Sequence, residues 1–464
     1  MDNRISSYFN SLKRKKIAFI GVGVSHTELI KIYSEKGFDV TICDKRNLED
    51  LEEKLISINL DRVKLRLGEN YLEDLEDFDI IFRTPGMKFH LPQLENARKK
   101  GVVVTSEMEV FFDLCPCKII AVTGSDGKTT TTTLISEMLK KQGYTVHLGG
   151  NIGRALLPMI EEMNNEDFAV VELSSFQLIS MRKSPDISVV TNLQPNHLDM
   201  HKDMQEYIDA KKNIFIHQNA FSKTVLNLSN DITREFANLT RGDTWFFSRF
   251  EKTNRGTFLS EDGYLTICLD SKEIKLFHYN EIRIPGMHNV ENYLTAIAAI
   301  WGYVDVENIK YVANNFNGVE HRIEFVRELN GIKWYNDSIA SSPSRAIAGL
   351  KSFNQRIILI AGGYDKKIPY EPLAPFICEK VKILILCGQT ADKISDSVEN
   401  CLDYNPDFLQ IIRAKDIPDA VKIANENAEY GDIVSLSPAS ASFDFYPNFE
   451  VRGKHYKQLV MDLK

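Results

Sequence analysis

The segment Thr123–Thr132, TGSDGKTTTT, carries the chemistry that is easiest to name. Glycines let backbone N–H groups approach phosphate oxygens, and a helix N-terminus adds partial positive charge. A lysine reaches the terminal phosphates, and a hydroxyl ligates Mg²⁺. Here Gly124 and Gly127 supply the turn, Lys128 the ammonium and Thr129 the metal-facing hydroxyl. Ser125, Asp126 and Thr130 complete the loop. Asp126 sets a carboxylate close to phosphates, and the sequence offers no reason for it. The usual pattern has a glycine at position 122, where this chain has valine, so the loop is a variant.

Such a loop needs partners at the same sheet edge, because sites in open α/β sheets lie beyond the carboxyl ends of the strands. Glu172 ends the run AVVEL, and His197 follows SVVTNL within QPNHLDMH. Nearer the start, GVGVSHTE places Gly21 and Gly23 in a strand-to-helix turn. A dinucleotide turn requires a third small residue where His26 stands, which disfavours NAD, although Asp44 imitates its ribose carboxylate. Asn289 and Asn292 share a helix face and could read an adenine edge; Asn289 suits an N-cap as well. Lys211, in YIDAKK, reads from pattern alone as a solvated helix lysine.

The elements that must hold these residues fall into three α/β blocks. The first runs through KIAFIGVGV (16–24), DVTICD (39–44) and DIIFRTPG, with helical stretches between, which implies a parallel sheet covered by helices. The second opens at CKIIAVTG (117–124) and continues through FAVVEL, ISVVTNL and TVLNLS. Between Asp243 and Pro285 short β-rich pieces surround the hairpin signal Asp262–Gly263, so an antiparallel extension is expected. The third holds RIILIAGG, VKILILCG and DIVSLSP. Boundaries near 115 and 318 divide the chain into domains 1–115, 116–317 and 318–464.

Composition narrows the class. A chain of 464 residues has room for about three cores at roughly 150 residues each. A net charge of −8 argues against wrapping nucleic acid or lying on anionic lipid. Seven scattered cysteines read as reduced thiols, and the Cys115–Pro116–Cys117 pair is too short for zinc spacing. No apolar run approaches a membrane span and the polar start is no signal peptide, so a cytoplasmic protein is expected.

Taken in order, TGSDGKTT, GGNIG (149–153), VELSSFQL (171–178), NHLDMH (196–201), YIDAKKNIF (207–215), GMHNVENYLTAIAA (286–299), EHR (320–322), NDSIASSPSRA (336–346) and SPASASFDFYPNFEVRG (437–453) resemble the Mur ligase family over nearly the whole chain. The S-S-F-Q-L segment is particular to the branch that adds D-glutamate to UDP-N-acetylmuramoyl-L-alanine. The resemblance implies three α/β domains: an N-terminal Rossmann-like domain for the uridine nucleotide, a central P-loop ATPase-type domain, and a C-terminal Rossmann-like domain for the amino acid. It implies an ATP-dependent ligase of peptidoglycan precursor synthesis, working through an acyl phosphate on small-molecule substrates, as a monomer.

The same resemblance assigns residues. Thr129, Glu172 and His197 would hold Mg²⁺, two ions being expected and Mn²⁺ an alternative, with Lys211 contributing as its CO₂ carbamate. A carbamate turns a cation into an anionic oxygen ligand, and it forms from the neutral amine that burial and neighbouring cations favour. His197 is also a candidate general base. Arg322 would meet the phosphates and Asp337 the ribose. Val24 and Ser25 fall to the UDP pyrophosphate, Lys45, Arg46 and Thr84 to the uracil and its surroundings, and Asn151, Gln177 and His197 to the muramoyl-alanine end. Lys366 and Ser442 would grip glutamate, with Ser341 and the Phe449 backbone beside them. One departure stands out: the family's N-D-S-K is N-D-S-I here, with Ile339 in place of a lysine. Lys366 or Lys367 could compensate; L-glutamate, another Mur-family ligation, or a regulator that has lost catalysis are the alternatives.

Overall fold

The computed structural model describes residues 3–23, 25–194 and 201–464. Three sheets carry the chain. The first comprises β1 (Lys16–Ile20), β2 (Asp39–Asp44), β3 (Val63–Leu67), β4 (Ile80–Arg83) and β5 (Val103–Thr105). Their order is β3-β2-β1-β4-β5, and every pair is parallel. Central β1 is buried from Ile17 to Ile20, which is why it reads as an unbroken apolar run. Edge strands β3 and β5 are half exposed, and their polar residues hid them from the sequence pattern.

The second sheet holds β6 (Lys118–Thr123), β7 (Val146–Gly150), β8 (Phe168–Glu172), β9 (Ile187–Val190), β10 (Lys223–Asn227), β11 (Asp243–Ser248), β12 (Gly256–Leu259), β13 (Tyr264–Leu269) and β14 (Lys272–His278). The order is β14-β13-β12-β11-β10-β9-β6-β8-β7. The antiparallel extension starts later than the sequence suggests: β11 and β12 continue the parallel pairing, and only the β12–β13 and β13–β14 pairs are antiparallel. Gly256 permits this, since a Cβ there would lie 1.8 Å from the Phe246 carbonyl oxygen. The turn at Asp262–Gly263 does join β12 to β13.

The third sheet contains β15 (Glu324–Leu329), β16 (Ile332–Asn336), β17 (Ile357–Ala361), β18 (Val381–Leu386), β19 (Gln410–Arg413) and β20 (Ile433–Leu436), in the order β15-β16-β20-β17-β18-β19. Only the β15–β16 hairpin is antiparallel.

Met1–Tyr279 with Glu291–Val312 forms one compact unit, and Asn280–Val290 with Ala313–Lys464 a second. Within the first unit one apolar cluster joins both sheets. It runs from Phe19 and Phe82 through Phe111 and Phe112 of the helix Glu107–Leu114 to Leu156, Leu157 and Leu178.

Candidate active site

The register of the second sheet assembles the phosphate loop. Val122 pairs with Glu172 on one side and Val189 on the other, and Thr123 pairs with Val190. Position 122 therefore belongs to a buried strand, which accounts for valine where the usual loop has glycine. The turn begins at Gly124 (φ +151°), whose Cβ would meet Thr191 Oγ1 at 1.8 Å. At Gly127 (φ +77°) a Cβ would fall 2.5 Å from Asn292 Oδ1. Both positions demand glycine.

The helix Lys128–Gln142 starts immediately after, and its first-turn N–H groups face the loop. Lys128 Nζ donates to the Ser125 carbonyl at 2.8 Å. Ser125 Oγ donates to the Gln194 carbonyl at 3.1 Å and accepts from its N–H at 2.9 Å. The Asp126 backbone is pinned by Asn192 and Thr191 while its side chain is exposed; nothing in the structure explains the carboxylate. Thr129 is half-buried and Thr130 buried.

Glu172 and Lys211 distinguish this edge from a plain phosphate loop. Glu172 is 1 % exposed; Oε1 accepts from Asn151 Nδ2 at 2.7 Å, and Oε2 is buried with no hydrogen-bond partner among the described residues. An orphaned carboxylate oxygen costs about 1–3 kcal/mol or more, and a cation is the partner that would offset it. Lys211 is 2 % exposed, at variance with the solvated lysine its pattern suggests. It lies in the last turn of the helix Met204–Lys212, capped by Asp203, and Nζ reaches Thr123 Oγ1 at 2.9 Å and the Gly124 carbonyl at 3.0 Å. Burial first and the Lys128 charge second push its pKa well below the ordinary lysine value, against a smaller opposite pull from Glu172. A neutral amine is thus favoured at this position.

Among the described residues no three His, Cys, Asp or Glu side chains gather into a metal cluster. His197 and Val24 lie outside the described residues. His201 donates from Nδ1 to Glu206 Oε2 at 3.2 Å, meets Ser175 Oγ at 2.8 Å through Nε2, and stacks on Phe176. Sequence reasoning passed over His201, although it ends the very segment NHLDMH.

On the first sheet Gly21 closes β1, and Asp44 closes β2. The Asp44 carboxylate accepts from the N–H groups of Val22 and Arg46 and from the Arg46 guanidinium, which hold its pKa down against burial. Lys45 is exposed, Ser25 and Thr84 half-buried, and Asn151 exposed. Gln177 is buried, and its amide oxygen closes a capping box with Ser174. His26 is fully buried; its Nδ1 meets the Gly21 carbonyl at 2.8 Å, and burial lowers its pKa to about 4.

In the second unit the carboxyl ends of β16, β20 and β17 lie side by side and bring Asp337, Ser341, Lys366 and Ser442 to one edge. Gly362 N–H donates to Pro438 and Tyr364 N–H to Ala441, locking the loops after β17 and β20 together. Arg452, buried at 2 % and unsuspected from sequence, spans them: it donates to Ser338 Oγ and to the carbonyls of Ser338, Ser440 and Ala441. Ser338 Oγ in turn donates to the Phe449 carbonyl, so the Phe449 backbone is held at 2.8 Å. Ser442 is buried, Ser341 and Ile339 half-buried, and Lys366 and Lys367 exposed.

Asp337 is buried, accepts from Ser437 Oγ at 2.8 Å and Ile323 N–H at 3.3 Å, and burial raises its pKa to about 7. Arg322 sits between His321 (φ +64°) and Ile323 (φ +44°), two non-glycine residues in left-handed conformations. Asn289 does not cap its helix, which begins at Met287; its Nδ2 turns back to the Pro285 carbonyl at 2.6 Å.

Comparison with known proteins assigns these parts. Residues 15–106 match the Mur ligase MurD-like N-terminal domain, 122–300 the Mur ligase middle domain, and 321–440 the Mur ligase glutamate ligase domain. The chain belongs to the Mur ligase family. A relative from Acetivibrio thermocellus, 51 % identical over the full length of both chains, is a UDP-N-acetylmuramoylalanine–D-glutamate ligase. A protein of the same name from Clostridium botulinum is 50 % identical, again end to end. Among solved structures, a UDP-N-acetylmuramate-alanine ligase from Thermotoga maritima shares the fold, with TM-score 0.59 at 18 % identity, covering 97 % of this chain and 100 % of its own.

Proposed function

We propose that the chain is an ATP-dependent ligase that joins D-glutamate to UDP-N-acetylmuramoyl-L-alanine, in peptidoglycan precursor synthesis. The observation that carries the chemistry is the buried Glu172 Oε2, without a hydrogen-bond partner among the described residues, beside the phosphate loop and close to a buried lysine whose neutral form is favoured. The choice of glutamate rests on the full-length relatives.

A carboxylate is a poor acyl donor because its leaving group is oxide. One of its oxygens attacks the γ-phosphorus of ATP, the bond to ADP breaks, and an acyl phosphate results. The glutamate nitrogen, having lost a proton, then attacks the acyl carbon, and inorganic phosphate departs with the electron pair of the C–O bond. Lys128 and the helix N-terminus bind and orient the phosphates, and positioning of this kind carries most of phosphoryl transfer. Thr129, Glu172, the Lys211 carbamate and His197 would hold Mg²⁺, which supplies Lewis-acid stabilisation of phosphoryl charge when bound. The carbamate forms when the neutral Lys211 nitrogen attacks CO₂ and loses a proton.

Arg322, Asp337, Asn289 and Asn292 keep their proposed ATP roles, and Lys366, Ser442, Ser341 and Phe449 their proposed glutamate roles. The domain limits 1–115, 116–317 and 318–464 stand as part of the same reading. Phosphate release from ATP, Mg²⁺ and UDP-N-acetylmuramoyl-L-alanine with each glutamate enantiomer tests it. Turnover with the D-enantiomer is expected; faster turnover with L-glutamate would overturn the substrate and leave the ligase mechanism.

A further inference from the structure

Arg83 ends β4 and is 1 % exposed. A guanidinium so deep must place its donors, since burying a charged or polar group without hydrogen bonds is costly. Nη1 donates to the Met87 carbonyl at 2.8 Å and to that of Thr84 at 3.3 Å. On the other side Nη2 donates to the Phe176 carbonyl at 3.0 Å and meets Ser180 Oγ at 3.5 Å. Ser180 Oγ donates onward to Glu109 Oε2 at 2.8 Å, which also accepts from Ser106 Oγ at 2.9 Å. One planar fork therefore ties the loop leaving the first sheet to the Ser174–Gln177 turn that directly follows Glu172. The same side chain lines a cavity of about 220 Å³ with Met87, Phe89, Phe176 and His201. Burial lowers its pKa only to about 10, so it stays charged at neutral pH.

We propose that Arg83 is a positioning residue for the acyl substrate. It fixes the distance between the Thr84 loop, which holds the nucleotide end, and the strand edge where Glu172 sits beside the reacting carboxylate. This rests on the proposed function together with the family resemblance, which gives Thr84 to the uracil and its surroundings. The role needs a fork: lysine offers one point charge and reaches one side only.

Initial-rate kinetics on the full chain, varying UDP-N-acetylmuramoyl-L-alanine and ATP separately, test the idea in Arg83→Met and Arg83→Lys, with thermal midpoints measured alongside. In Arg83→Met the KM for the nucleotide sugar should rise about tenfold or more while that for ATP stays within about twofold. Arg83→Lys should recover only part of the loss. An unchanged nucleotide-sugar KM would overturn the proposal, as would equal losses in every parameter that track the fall in thermal midpoint. Should Arg83→Met not fold, the lysine variant decides by the same selective rise or its absence. Failure of the wild-type chain to turn over the nucleotide sugar would sink the functional reading itself, which is a different result from an active enzyme indifferent to Arg83.

Discussion

The phosphate-loop edge of the second sheet and the β16–β20–β17 edge of the third are built on opposite plans. At the first, the ionisable groups are buried: Glu172 and Lys211 are 1 % and 2 % exposed, and one Glu172 oxygen has no hydrogen-bond partner among the described residues. At the second, the proposed ligand cation, Lys366, is exposed, and the deep charge belongs to Arg452, which donates four hydrogen bonds to the loops. The difference teaches where preorganisation is placed. Stabilising charge that develops during phosphoryl transfer requires groups fixed in a dry setting. Binding a soluble amino acid requires only that the backbone cradle be fixed while a solvated cation swings in.

Substitutions can break or sharpen that contrast. The largest effect is expected at the first edge. Lys211→Ala should cut turnover by about a hundredfold or more in a phosphate-release assay. Lys211→Arg should not rescue it, because a guanidinium forms no carbamate. Near-normal turnover in Lys211→Ala would erase the distinction between the edges.

At the second edge the largest change should come from the scaffold. Arg452→Met leaves the carbonyls of Ser338 and Ser440 without their donor and takes one of two donors from that of Ala441, and should lower stability by about 3 kcal/mol in chemical unfolding. Lys366→Ala should spare stability to within about 0.5 kcal/mol, as exposed sites do, while raising the glutamate KM. A large stability loss in Lys366→Ala would mean that this cation is structural after all.

The last effect concerns pH. Burial raises the Asp337 pKa from 3.8 to about 7, so the folded chain keeps a proton there that the unfolded chain releases. Stability must then fall as pH rises through that window and level off above it. Asp337→Asn should flatten this slope in thermal midpoints taken across the range; an unaltered slope would show that other groups set it.

These residues also mark how far the sequence could be read. Lys128 was legible because strand, glycine turn and helix start surround it in a fixed pattern. Lys211 looked solvated from its own segment, since its burial comes from Thr123 and Gly124 some ninety residues earlier. Arg83 and Arg452 escaped notice for the same reason: each is held by a carbonyl on a loop distant in sequence, Phe176 for Arg83 and Ser338 for Arg452. Central strands such as β1 and β17 announced themselves as apolar runs, whereas β3, β5 and the parallel pairing of β11 with β12 depend on neighbours that no local window contains.

The central claim is that Lys211 serves as its carbamate. Carbon-13 NMR of the full chain equilibrated with ¹³C-bicarbonate and Mg²⁺ tests it most directly. A lysine-carbamate carbonyl resonance is expected in the wild-type chain and should vanish in Lys211→Ala. An active wild-type enzyme with no such resonance, or one that persists in Lys211→Ala, would contradict the account.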